Sequence, residues 1–201
     1  MIEPRFSNRN LRRFIETLAM ELGEDQFSAM LGLSKLPPEW ADSDALIKLN
    51  MVESAKAYAA LQAAMRSYFG RGARGVLLRV GERMWHKLLD DASIGNRGYA
   101  TIIKRLPLTT RRKSTLELVA RFLSAQPGDM TIHTLDLDLL LVDHASPTAN
   151  GYSDSSPVCF VTQGVINESL TWATWQGHDV EEVACKARGD KNCEFKVTTG
   201  K

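Results

Sequence analysis

Val180-Glu-Glu-Val-Ala-Cys-Lys-Ala-Arg-Gly-Asp-Lys-Asn-Cys-Glu-Phe-Lys-Val197 is the stretch on which the reading of the fold turns. Residues 180–186 and 193–199 are rich in β-branched side chains, and Gly189-Asp190 between them is a turn signal. The stretch therefore reads as a β-hairpin. Strand alternation puts Val183 and Cys185 on one face, and Cys193, Phe195 and Val197 on one face of the partner arm. Where those faces coincide, two thiols meet at the mouth of the hairpin above an apolar surface. The chain has one further cysteine, Cys159. Three readings are open on spacing alone. The thiols can be small buried side chains, Cys185 and Cys193 can form a disulfide, or three thiolates and a carboxylate can make a tetrahedral set that Zn²⁺ accepts. No paired C-x-x-C knuckle is present, which favours free thiols.

Working outward, Pro157-Val-Cys159, Gly164, Glu182-x-x-Cys185, Gly189-Asp190 and Cys193-Glu-Phe195 together resemble the C-terminal part of the 4-vinyl reductase (hydrocarbon-binding) domain family. That family includes a protein tied to bacteriochlorophyll synthesis, archaeal stand-alone proteins, and the sensory domains of phenol- and xylene-responsive activators. Its fold is similar to that of a subunit of the vesicle-tethering (TRAPP) complex. In the aromatic-sensing members, zinc is held by three cysteines and a glutamate three residues before the middle one. The resemblance thus implies Cys159, Glu182, Cys185 and Cys193 as metal ligands, with water as the alternative to Glu182. Glu182 lies an odd number of residues from Cys185, so a regular strand would place them on opposite faces. A bulge near Val183-Ala184 is needed to turn both inward. The segment 143–147, Asp-His-Ala-Ser-Pro, resembles the loop that precedes the first zinc cysteine.

Length and composition set the bounds. A chain of 201 residues can bury a sizeable core. Its 44% hydrophobic and 24% charged residues are those of an ordinary globular protein. A net charge of +1 gives no overall pull toward nucleic acid. No apolar run is long enough to span a membrane, and the first residues lack a signal-peptide core, so a cytoplasmic protein is expected.

In chain order, Ser7 or Asn8 caps a first helix with Leu11, Phe14, Ile15, Leu18 and Leu22 on one stripe, ended by Gly23. That stripe belongs in the core or at a two-fold interface. A short second helix carries Phe27, Met30 and Leu31. Residues 44–69 read as an Ala-rich helix anchored by Val52, Ala55, Ala59, Met65 and Phe69. Gly70-Arg-Gly-Ala-Arg-Gly75 is a literal G-x-G-x-x-G, but it follows a helix rather than a strand and reads as a helix-to-helix turn. Further helices are expected over 76–89, 96–106 and from Thr109 on. The basic run Thr109-Thr-Arg-Arg-Lys113 reads as a solvated face. Residues 130–144 read as a strand, with Leu135, Leu137, Leu139 and Leu141 on one face and Asp136 and Asp138 on the other. Residues 160–175 fit a helix packed on the sheet. Lys186 is expected to face solvent.

The architecture is expected to be α+β: a helical region over 1–126 and a sheet and cysteine-rich part over 127–201, integrated as one domain. The resemblance implies a sensor or carrier for an apolar, aromatic or tetrapyrrole-like small molecule, without catalytic residues, and with a homodimer as its assembly. Four protein ligands would leave no open metal position, so the zinc would be structural. Trp85, Leu137, Leu139, Phe160, Trp172 and Trp175 are the expected ligand-binding residues. Two other functions follow from the same resemblance. A tetrapyrrole vinyl reductase or bacteriochlorophyll accessory factor would need a flavin or nicotinamide, for which no element is evident. A structural interaction subunit would bind no ligand. Direct nucleic-acid binding and membrane insertion are not expected.

Overall fold

The computed structural model describes residues 3–199. Among them, seven α-helices and four strands follow one another as α1 (Asn8–Leu22), α2 (Glu24–Leu33), α3 (Met51–Phe69), α4 (Ala73–Asp90), α5 (Ile94–Ile103), α6 (Leu108–Leu123), β1 (Met130–Leu135), β2 (Asp138–Asp143), α7 (Phe160–Thr174), β3 (Asp179–Ala184) and β4 (Cys193–Thr198). The fold is α+β, a helical N-terminal half followed by one antiparallel sheet in the order β1-β2-β4-β3.

Local chemistry explains most boundaries. The Ser7 hydroxyl accepts from the Asn10 N–H and starts α1, and Gly23 at φ +80° ends it. The expected long helix over 44–69 begins later than read. Residues 43–48 form a 3-10 segment, and α3 starts only after Asn50, which makes a capping box with Glu53. Gly70–Gly72 is a short 3-10 turn leading directly into α4, so the glycine-rich stretch joins two helices.

The largest departure from the sequence reading concerns residues 130–144. They form a hairpin, β1 and β2, rather than one strand. Asp136 adopts φ +53° at the reversal, a left-handed conformation that Asp tolerates. Asp136 and Leu137 therefore sit in the turn, while Leu139 and Leu141 face the helices. The alternation of leucines had concealed a two-residue turn that contains neither Gly nor Pro.

One cluster of buried side chains runs from Phe6 through the helices to Val197. The α1 stripe of Leu11, Phe14, Ile15 and Leu18 is spent inside the chain, with Phe14 edge-on to Tyr58 at 4.6 Å between ring centres. Helices α4 and α7 cross at Gly81 and Gly164, and α7 lies under the sheet. This crossing positions the start of α7, and with it Cys159, against the β3–β4 hairpin.

Candidate metal centre

Cys159 stands at the N-terminal end of α7, Glu182 on β3, Cys185 just past the end of β3, and Cys193 at the start of β4. The expected bulge is present. The β3–β4 register pairs Glu182 with Phe195 and Ala184 with Glu194, leaving Val183 as the extra residue. Val183 points outward and is partly exposed, whereas Glu182 and Cys185 are both buried. Beyond the bulge a tight loop closes the hairpin. Gly189 takes φ +96°, and the Asp190 carboxylate accepts from the Cys185 N–H at 2.8 Å and from the Arg188 guanidinium. The Cys185 carbonyl accepts from the N–H groups of Arg188 and Asp190.

The three sulfurs and one Glu182 carboxylate oxygen all lie within 4.8 Å of one another. Cys159 Sγ is 3.5 Å from Cys193 Sγ and 3.9 Å from Cys185 Sγ, and the three thiols are free. Sulfurs on a tetrahedral zinc at 2.3 Å are roughly 3.8 Å apart, so the spacing suits ligands around one ion. The surrounding polar groups suit it as well. Glu182 Oε2 accepts from the Cys159 N–H at 2.8 Å, while its Oε1 is buried without a hydrogen-bond partner among the described residues. The Lys186 N–H lies 3.4 Å from Cys193 Sγ, and the Ser146 hydroxyl 3.7 Å from Cys159 Sγ. An orphaned carboxylate oxygen in a fully buried thiol cluster is costly unless a cation takes it. The residues present fit a thiophilic divalent metal.

The electrostatics agree. Burial, followed by the charge of Cys185, pushes the Glu182 carboxyl up to about 8. Hydrogen bonds from Cys159 and Cys193 favour the Cys185 thiolate and hold its pKa down. The same hydrogen bonding to Cys185, together with burial, holds the Cys159 proton on. At Cys193 a hydrogen bond with Cys159 favours the thiolate, but the contact with Cys185 and burial outweigh it and push the thiol up. One thiolate and several held protons is the behaviour of a site that needs positive charge to ionise completely.

A groove of about 860 Å³ adjoins the cluster. Val158 and Glu182 belong to its floor, Phe160 and Gln163 to the α7 side, and Arg66 and Arg74 to the opposite wall. The Arg74 guanidinium lies 5.9 Å from the centre of the Phe160 ring.

The six residues expected to bind ligand are distributed over three places. Phe160 lines the groove beside the cluster. Trp85 is buried and meets the partly buried Trp172 edge-on at 5.5 Å, and Lys104 caps Trp172 and the exposed Trp175. Leu137 and Leu139 line a separate depression with Thr109 and Lys113. His86 diverges from Trp85 and pairs with Glu168 at the surface.

Sequence reading missed a polar stripe on α3. Ser54, Tyr58, Gln62 and Arg66 recur every fourth residue and so share one helix face. Tyr58 hydrogen-bonds with Thr148 and Thr162, linking this stripe to the loop before Cys159 and to α7. The signal was there at i, i+4 spacing, but the alanines around it read as a purely apolar helix. Asp143 was also missed as an interior group. It is 2% exposed, accepts from the Ala145 N–H at 3.0 Å, and burial pushes its carboxyl up to about 7.

Comparison with known proteins places this site. Residues 143–199 match the model of the 4-vinyl reductase domain family, the one that the cysteine motif resembles, and all four cluster residues fall within the match. The fold is similar to a solved structure described as the phenol-responsive sensory domain of the transcription activator PoxR with phenol. That similarity has a TM-score of 0.50 at 16% identity and covers 70% of this chain and 73% of that one. No curated protein matches the chain by sequence. Among the described residues no helix is long and apolar enough to cross a membrane.

Proposed function

We propose that this chain is a small-molecule-binding domain, a sensor or carrier, whose ligand site is held in shape by a structural Zn²⁺ on Cys159, Glu182, Cys185 and Cys193. The observation that carries the reading is the shared floor of groove and cluster: Glu182 belongs to both, and Val158 precedes Cys159. A metal there would tie the start of α7 to both arms of the β3–β4 hairpin, which are two sides of the groove. Its volume lies within the range of small-molecule sites. The resemblance to a phenol-responsive sensory domain supports an aromatic or apolar ligand, and Phe160 is the aromatic surface available to it. With all four metal positions supplied by protein, the ion has no place for substrate, which supports binding rather than catalysis.

Native mass spectrometry of gently purified protein, followed by titration with phenol, toluene and 1-naphthol, tests the reading. One zinc per chain and saturable binding of at least one arene, weakened about tenfold or more by Phe160→Ala, is the expected result. Binding of none of them, with zinc present, would contradict the ligand reading while leaving the metal centre standing.

A further inference from the structure

Charge is unevenly placed along this chain. Between Ala92 and Gly128 seven arginines and lysines stand against the single acid Glu117, so that this segment carries +6 in a chain whose total is +1. Five of these cations, Lys104, Arg105, Arg111, Arg112 and Lys113, gather at one end of the fold, around the α5–α6 turn. The C-terminus of α7 and the tip of the β1–β2 hairpin come to the same end. Arg111 Nη1 donates to the Ala173 carbonyl at 3.4 Å, Arg112 Nη1 to that of Thr199 at 3.4 Å, and Thr199 donates through its hydroxyl to the Leu137 carbonyl.

Large apolar side chains project from this end. Trp175 is 80% exposed, Leu137 75% and Ile102 55%. They come from three separate elements, a helix C-terminus, a hairpin turn and the last turn of α5. Trp175 is held outward by an uncommon backbone. It takes φ +61° at the end of α7, fixed by its N–H donating to the Thr171 carbonyl at 2.8 Å, a left-handed conformation costly for a bulky residue. Lys104 lies 4.2 Å from the Trp172 ring centre and 5.3 Å from that of Trp175, so a cation accompanies the exposed indole.

Single exposed apolar residues need no explanation, but three tips set among five cations do. Apolar tips on chain reversals, ringed by basic side chains, suit the interface of an anionic bilayer: indole and aliphatic groups enter the headgroup region while arginines and lysines meet phosphates. A nucleic-acid duplex would use the cations but offers nothing to Leu137 and Ile102. The nearby acids do not cancel the field. Asp138 pairs with Lys196, leaving Asp136 in the hairpin turn and Asp179 at the start of β3. We infer that this end docks on an anionic phospholipid surface, placing the domain peripherally at a membrane. The inference stands independently of the metal centre and the groove.

Cosedimentation of the full chain with phosphatidylcholine vesicles, with and without phosphatidylglycerol, tests it. Binding is expected to the anionic vesicles, to be weakened by salt, and to be absent with phosphatidylcholine alone. Trp175→Ala combined with Leu137→Ala, and separately Arg105→Glu combined with Lys113→Glu, should each lower partitioning about tenfold or more. All four positions are surface residues, and an unchanged melting temperature checks that each variant folds. No binding to anionic vesicles at low salt would overturn the inference. So would binding that neither pair of substitutions weakens. Retention of a DNA duplex by the same surface in a mobility shift, with vesicles ignored, would overturn it in favour of nucleic acid.

Discussion

Gly81 of α4 and Gly164 of α7 meet backbone to backbone. A Cβ built on Gly81 would stand 2.9 Å from Gly164 Cα, and one built on Gly164 would stand 3.1 Å from Gly81 Cα; each would also strike a carbonyl of the other helix, that of Val161 or Leu78. Neither neighbour is a flexible side chain that could swing away. The two glycines thus set how closely α7, with Cys159 at its start, approaches α4.

Gly81→Ala and Gly164→Ala should therefore each destabilise the protein by at least about 2 kcal/mol, because close-packed backbones must separate. Gly98→Ala in α5 is the matched control. Its added methyl meets nothing within 4 Å, and it should be neutral or stabilise by about 0.5–1 kcal/mol. Thermal melts compare the three directly.

Phe14→Ala should cost about 3–5 kcal/mol. The ring is fully buried against Tyr58 and has no other element to replace it. Chemical denaturation should show a lower midpoint with an unchanged slope. An unchanged midpoint would mean that α1 does not pack as described.

Asp143 gives a dependence on pH. Its folded pKa, raised by burial to about 7, lies above the usual value of 3.8. Between those values the folded state keeps a proton that the unfolded state has released. Its contribution to stability is therefore complete below about pH 4 and is lost as pH rises through about 7. Asp143→Asn should remove that component, so that variant and wild type diverge most in slope between pH 4 and 7. Parallel pH profiles of the melting temperature would contradict the buried, protonated carboxyl.

The cysteine hairpin, the bulge within it, the helix after Cys159 and the helix-to-helix character of the glycine-rich turn were legible because each has a local signature. The β1–β2 turn was not, since Asp136-Leu137 sits inside an unbroken alternation and the reversal depends on a left-handed aspartate rather than on Gly or Pro. The late start of α3 followed from Asn50, a cap whose Glu53 partner sits inside an apparently continuous helix. The α3 polar stripe and the interior position of Asp143 depend on which elements pack together, which periodicity alone does not tell.

Lys186 illustrates the same limit. Expected at the surface, it instead donates through Nζ to the His144 carbonyl at 2.5 Å, and its N–H approaches Cys193 Sγ. Lys186→Ala should therefore loosen the loop before Cys159 and lower stability by about 1 kcal/mol. Lys191→Ala, at an exposed position in the same loop, should be within about 0.5 kcal/mol of wild type. Equal effects would mean that the Lys186 contact contributes nothing.

The metal centre is tested most directly by elemental analysis of purified wild type, Glu182→Gln and Cys185→Ser. Wild type should carry one zinc per chain, with zinc–sulfur distances near 2.3 Å by X-ray absorption. Cys185→Ser should lose the metal and melt at a lower temperature, because the remaining thiols would be left without the charge that ionises them. Glu182→Gln should retain zinc more weakly, an amide oxygen or water taking the fourth place. Wild-type protein that is free of metal, melts cooperatively, and responds to neither zinc nor chelator would contradict the account.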